Sequence, residues 1–342
     1  MWRRGLFGAG IVTGMVGLLA SVAPDDPATP AAPCSDDGAV VVGEREVGPR
    51  LLDLTVRSPA LAGAARVRLL LPAGWSRDGV LNGRTWPVLW LLHGGGRGDH
   101  TSWTANTALE RIAGGEGVMV VMPDGGRCGN YSDWWNHGAG GPPQWETFHL
   151  TELRQILERG YGAGTRRAIA GAGMGGTGAL AYAARHRGLF RAAASFSGAL
   201  DTLYRDDTGL DVPDLIELGV ATGGSRFADW TDLWGDPDEQ RPVWRRHNPF
   251  DLADRLAGVR LYLSSGDGAP GPYDRWRPGD PLTARGREVL ERVAHRSGTE
   301  FAAKLRRLGI PASTHFYQGT HRWPYWGREL DCALPVLLSE IT

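Results

Sequence analysis

The stretch from Arg166 to His186, RRAIAGAGMGGTGALAYAARH, sets five glycines within eight residues, between a run of small apolar residues and an alanine-rich segment. Few folds accommodate this. A buried strand must run into a turn too tight for side chains, and the turn must open a helix. Two motifs fit the turn. Gly171 to Gly176 reads as G-x-G-x-x-G, a phosphate-binding turn. Gly171 to Gly175 reads as G-x-S-x-G with Gly173 where the serine of that motif stands.

The rest of the chain supplies the layers such a unit requires. LLDLTVRS and ARVRLLLP alternate well enough for two strands. WPVLWLLHG (Trp86 to Gly94) and VMVVMPDGG (Val118 to Gly126) are continuous apolar runs, suited to parallel strands buried on both faces. ETFHLTELRQILERGYG has its apolar residues in helical spacing. RAAASFSGAL, VRLYLSSGDG and ASTHFYQG add strands, and the segments beginning LTARGREVLERV and PYWGRELDCALP add helices. Strands alternating with helices predict an α/β fold with a mostly parallel central sheet and helices on both faces. From about Leu200 to Asp251 the pattern is irregular and rich in Trp and Asp, as expected of an insertion over the site.

Arg3 and Arg4 precede an apolar run from Gly5 to Ala23, and a Pro- and Ala-rich stretch follows. Residues 1–23 are expected to be an export signal or a retained membrane anchor, and 24–47 a tether. Net charge is −1, and Lys304 is the single lysine, so no basic stripe suggests nucleic acid. Cys34, Cys128 and Cys332 allow one disulfide with a free thiol, or three unpaired thiols. With neither C-x-x-C nor H-E-x-x-H present, no metal site is expected.

Position decides between the two readings of the turn. The dinucleotide fingerprint normally follows the first strand of its unit, and here at least four strand-like segments come earlier, although Asp201 lies where a ribose-binding acid would. The serine-type turn finds partners on both sides. Upstream, LLHGGGRGDHTSW carries His93 and three glycines whose backbone N–H groups can face a developing oxyanion. Downstream, a catalytic acid and then a histidine are needed in that order. Of the late histidines, His295 falls in a helix and His315 in a strand, whereas His321 falls in the loop of GTHRWPYW. By topology alone the acid is Asp267, at the end of VRLYLSSG.

These segments together with PDGGRCGNYSDWW and WETFHLTEL resemble the antigen 85 mycolyltransferases and the esterase D-type secreted esterases, over about Leu51 to Leu330. The resemblance implies an α/β-hydrolase fold over residues 48–342 and acyl-ester hydrolysis or transfer by a Ser–acid–His triad, with no cofactor. Carried over by position, it makes His321 the base and the backbone N–H groups of Gly95 and Met174 the oxyanion donors. It favours Glu291, in VLERVAHRSGTEF, as the acid, with Asp267 in reserve. Arg97, Trp103 and Trp323 are the expected substrate-binding residues.

Gly173 departs from that pattern, because glycine has no group to attack an acyl carbon. Cys128 is the one conceivable thiol substitute near the pocket. The expectation is an exported, envelope-associated protein, catalytically impaired, that binds acyl-ester, lipid or carbohydrate ligands. The alternative is an active carboxylesterase or acyltransferase.

Overall fold

The computed structural model describes residues 33–112, 117–205, 209, 211–222, 229–275 and 283–342. Nine strands form one sheet: β1 (Val40–Gly48), β2 (Leu51–Ser58), β3 (Gly63–Leu70), β4 (Trp86–Leu92), β5 (Met119–Pro123), β6 (Ala163–Ala172), β7 (Ala192–Phe196), β8 (Arg260–Gly266) and β9 (Ala312–Tyr317). Their order is β1-β2-β3-β5-β4-β6-β7-β8-β9. The first three strands form antiparallel hairpins joined by short links, and β3 also pairs antiparallel with β5. From β5 onward every pair is parallel, each reached through a crossover. The expected mostly parallel sheet is therefore present.

Side-chain parity explains why the central strands read as unbroken apolar runs. Val88, Trp90 and Leu92 of β4 join a core layer with Ile169, and Leu89 and Leu91 join the opposite layer with Ala168 and Ala170. The first layer is closed by α1 (Met174–Arg185) through Leu180 and Tyr182, and by α3 (Ala284–Arg307) through Phe301 and Leu305. The second is closed by α4 (Trp323–Leu338) through Leu330, Leu334 and Leu337. A fully buried leucine contributes roughly 1.5–3 kcal/mol, so both faces hold the sheet rigid beneath the loops at its C-terminal edge.

Three expectations need correction. The sheet begins at Val40, inside the segment expected to be tether, and Ala39 is already fully buried. That strand, VVVGEREVG, lies at the sheet edge and has no buried face, so its sequence lacks alternation. The stretch expected to be irregular carries α2 (Val212–Thr222) and two short helices, Thr231–Trp234 and Arg241–His247. Trp134, Trp234 and Trp244 pack there with Val220, Leu233 and Val243 into a separate small core. The expected signal or anchor, residues 1–23, lies outside the described residues, as do residues 24–32 of the expected tether.

The expected helix after the second glycine loop is interrupted. Trp145–Thr147 and Arg154–Gly160 are α-helical, and Phe148–Leu153 between them is a π turn. The turn buries His149, whose Nε2–H donates to the Asp124 carbonyl (2.8 Å) and whose Nδ1 accepts from the Tyr182 hydroxyl (2.9 Å). Burial lowers its pKa to about 4. An unfolded histidine titrates near about 6.5, so this group favours the fold fully above that pH and progressively less as pH falls toward 4. The difference corresponds to about 3 kcal/mol. Urea midpoints at pH 7.5 and 4.5 should therefore separate by less in His149→Gln than in the parent. Equal separations would show that His149 titrates freely in the fold.

Candidate active site

At the end of β6 the backbone reverses at Gly173, with φ 54° and ψ −122°, and α1 begins at Met174. Contact forces the flanking glycines. A Cβ on Gly171 would lie 2.2 Å from the Gly175 carbonyl oxygen, and one on Gly175 would lie 2.5 Å from that of Leu92. Gly173 is different. A Cβ there would meet His321 Nε2 at 3.0 Å and Cε1 at 3.5 Å, with Gly94 Cα next at 3.8 Å. The left-handed φ suits glycine, but the space is tight rather than closed.

The helix start is thus brought against the expected base. His321 lies between β9 and α4, and its Nδ1 is 2.8 Å from Glu291 Oε2. Glu291, on α3, is completely buried. Its Oε1 accepts the Ser197 hydroxyl at 2.7 Å and the Gly266 N–H at 2.5 Å, from the ends of β7 and β8. The carboxylate has no proton to give, so His321 carries its proton on Nδ1 and presents the Nε2 lone pair toward Gly173. Trp326 donates its indole N–H to Ser197 (3.0 Å) and meets the His321 ring edge-on at 4.8 Å. Ser197 and Trp326 therefore orient the pair indirectly. Trp326 lies in GTHRWPYW and Ser197 in RAAASFSGAL, but neither segment reports this orienting role in the sequence.

Asp267, the reserve acid, does not reach the base. It is exposed, and its Oδ1 accepts the Ala269 N–H (2.8 Å) and the Gly319 N–H (3.4 Å), tying the β8 and β9 loops together. Strand order pointed to it, but α3 follows β8 and delivers Glu291 from one layer below.

The opposite wall is the loop after β4. His93 is buried; its Nδ1–H donates to the Gly94 carbonyl (2.7 Å), and its Nε2 accepts the Gly125 N–H (2.9 Å). A trans peptide points its C=O and N–H in opposite directions. Holding the Gly94 carbonyl therefore turns the Gly95 N–H the other way. Gly95 adjoins Met174, since a Cβ on it would be 3.7 Å from Met174 Cβ. The Met174 N–H opens α1, where first-turn amides have no carbonyl four residues back. Both expected oxyanion donors thus flank the elbow.

The remaining expected residues divide. Arg97 is exposed on the same loop, and Trp323 is half-buried. Trp103 is 1% exposed and gives its indole N–H to the Leu92 carbonyl, so it supports Trp323, 5.1 Å away edge-on, instead of facing a ligand. All three cysteines are unpaired. The Cys128 thiol donates to the Gly219 carbonyl of α2, and burial pushes its pKa up, which makes it a poor substitute nucleophile. Asp201 accepts from Asn248 (2.8 Å) and the Leu203 N–H (3.0 Å), a loop-bracing role that leaves the dinucleotide reading without its acid. His137, Asp229 and Asp232 bring ligating atoms within 4.8 Å of one another, but they are mostly exposed, and ion pairing accounts for the trio.

A family model described as "Putative esterase" matches residues 58–337. An esterase of Mycobacterium tuberculosis is 32% identical over 292 residues, covering 83% of this chain and 58% of that protein. The chain thus spans little more than half the length of that relative. The diacylglycerol acyltransferase/mycolyltransferase Ag85A of Mycobacterium ulcerans is 32% identical over 261 residues, 73% of each chain. Among solved structures, MPT51 (FbpC1) of Mycobacterium tuberculosis superposes with a TM-score of 0.66 at 27% identity, over 86% of this chain and 100% of that one. The sheet and its helices are those of an α/β-hydrolase fold.

Removing the Glu291 carboxylate strands three buried donors at once. Glu291→Ala is expected to cost about 3–5 kcal/mol, measured by urea unfolding. Glu291→Gln, which keeps one acceptor oxygen, should lose less. An unchanged midpoint for Glu291→Ala would exclude the carboxylate as the anchor of this site.

Proposed function

Because the chain belongs to the esterase family, we propose that it is an exported acyl-ester-binding protein that retains the family's acid–base pair and oxyanion loop without a covalent nucleophile. One observation carries this reading. The imidazole that would activate a serine faces Gly173, with Nε2 3.0 Å from where that residue's Cβ would be. Losing the nucleophile of such a triad lowers kcat on the order of 10⁶-fold. The proposed ligand is an acyl ester of a lipid or carbohydrate. The similarity to a diacylglycerol acyltransferase/mycolyltransferase supports that class. The Gly95 and Met174 N–H groups would hold the ester carbonyl, with Arg97 and Trp323 at the rim. Residues 1–23 would export the protein or anchor it at the envelope, and residues 24–32 would link that segment to the domain.

Gly173→Ser tests the assignment. The new Cβ requires His321 to yield a few tenths of an ångström, after which the hydroxyl meets a waiting lone pair. Hydrolysis of p-nitrophenyl esters should rise by roughly 10²–10³-fold over the parent, with a burst and with labelling of Ser at position 173 by phosphonates. His321→Ala in that background should remove the gain. A Gly173→Ser protein that folds but shows no gain and no labelling would refute the assignment of His321 as base.

A further inference from the structure

The loss at position 173 is larger than the loss of a hydroxyl, because glycine also vacates the Cβ. Around that vacant position His321 Nε2 is the nearest atom, and apart from the ring's Cε1 no other lies closer than Gly94 Cα at 3.8 Å. His321 is 15% exposed at its side chain, and its Nε2 makes no hydrogen bond to a described residue, while Nδ1 is committed to Glu291. The acid, the base with its lone pair and the two N–H donors are therefore in place beside a position that carries no side chain.

We infer that this site catalyses acyl transfer by single displacement, with the hydroxyl of water or of a small primary alcohol taking the place of the missing serine. The inference rests on the ester-binding reading given above. In the step, the external hydroxyl oxygen bonds to the acyl carbon while its proton passes to His321 Nε2. The tetrahedral oxyanion lies against the Gly95 and Met174 N–H groups. Its collapse breaks the ester C–O bond, and His321 returns the proton to the departing alkoxide. With water the products are a carboxylic acid and an alcohol. With an alcohol they are a new ester and the released alcohol. No acyl-enzyme forms at any point.

The side chain at position 173 is the discriminating element. An alanine methyl would stand 3.0 Å from Nε2, pressed against the lone pair that an incoming hydroxyl must reach. The triad enzymes in which nucleophile loss is as costly as loss of the whole triad set the lower bound for such a site. A positioned general base contributes about 10²–10⁴-fold where a hydroxyl can reach it.

The test uses the full chain, p-nitrophenyl butyrate as donor and butyramide as a slowly reacting analogue whose binding is followed by tryptophan fluorescence. The parent should turn the ester over at least about 10²-fold faster than buffer, linearly from the first turnover, with no acyl adduct in the intact mass. Methanol should divert product to methyl butyrate, and tert-butanol should not. His321→Gln should fall to the buffer rate. Gly173→Ala should lose about tenfold or more while still binding butyramide, with its melting temperature confirming the fold. A parent rate equal to that of His321→Gln, an unimpaired Gly173→Ala, or a burst with an acyl adduct would each overturn the inference. Butyramide binding without His321-dependent turnover would overturn this inference alone. Absence of butyramide binding in the parent would overturn the ester-binding reading with it.

Discussion

A carboxylate with no exposure to water survives only where donors surround it, and Glu291 organises the C-terminal edge of the sheet on that condition. It draws one donor from the end of β7, one from the end of β8 and one from the loop before α4, while α3 carries it in from below. Four segments far apart in sequence are thereby fixed relative to one another. The orientation of His321, including which ring nitrogen holds the proton, follows from that arrangement. Trp326 and Ser197 complete the set, joining the carboxylate to the imidazole through two hydrogen bonds and one ring contact.

The opposite wall obeys a similar logic on a smaller scale. His93 donates to one carbonyl and accepts from one amide, which sets the peptide between Gly94 and Gly95. The Gly96 N–H then reaches the Arg127 carbonyl at 2.7 Å, and the neighbouring Cys128 leans on α2. The loop walls, the small tryptophan core and the elbow are thus coupled through hydrogen bonds between short segments. These segments lack long apolar stretches of their own, so polar contacts fix their geometry.

The sequence disclosed most where burial is two-sided. The runs of β4 and β5, and the glycines that let α1 press against β4 and β6, admit few alternatives, and the place of His321 in a loop after a strand is equally legible. Legibility failed where the deciding contact is remote. Which carboxylate reaches His321 depends on how α3 passes beneath β8, and strand order alone favoured Asp267. Trp103 looked like a ligand platform until its indole N–H was found on the Leu92 carbonyl. The strand at Val40 escaped notice because an edge strand with both faces wet has no period to detect, and the π turn escaped because its spacing resembles that of an ordinary helix.

The elbow's flanking glycines are fixed by collision and its central residue by its backbone. Gly171 and Gly175 cannot change without a collision, whereas a Cβ on residue 173 would first meet the tip of a histidine ring, and the N–H and carbonyl of that residue bind Phe196, Gly176 and Thr177. Structural integrity and reactivity at this turn therefore belong to different codons. Glycine and serine codons can differ by one base, so a lineage can pass between the two without an unfolded intermediate. The side chain at position 173 is thus an exchangeable part, and the contacts around it do not need to be rebuilt when it changes.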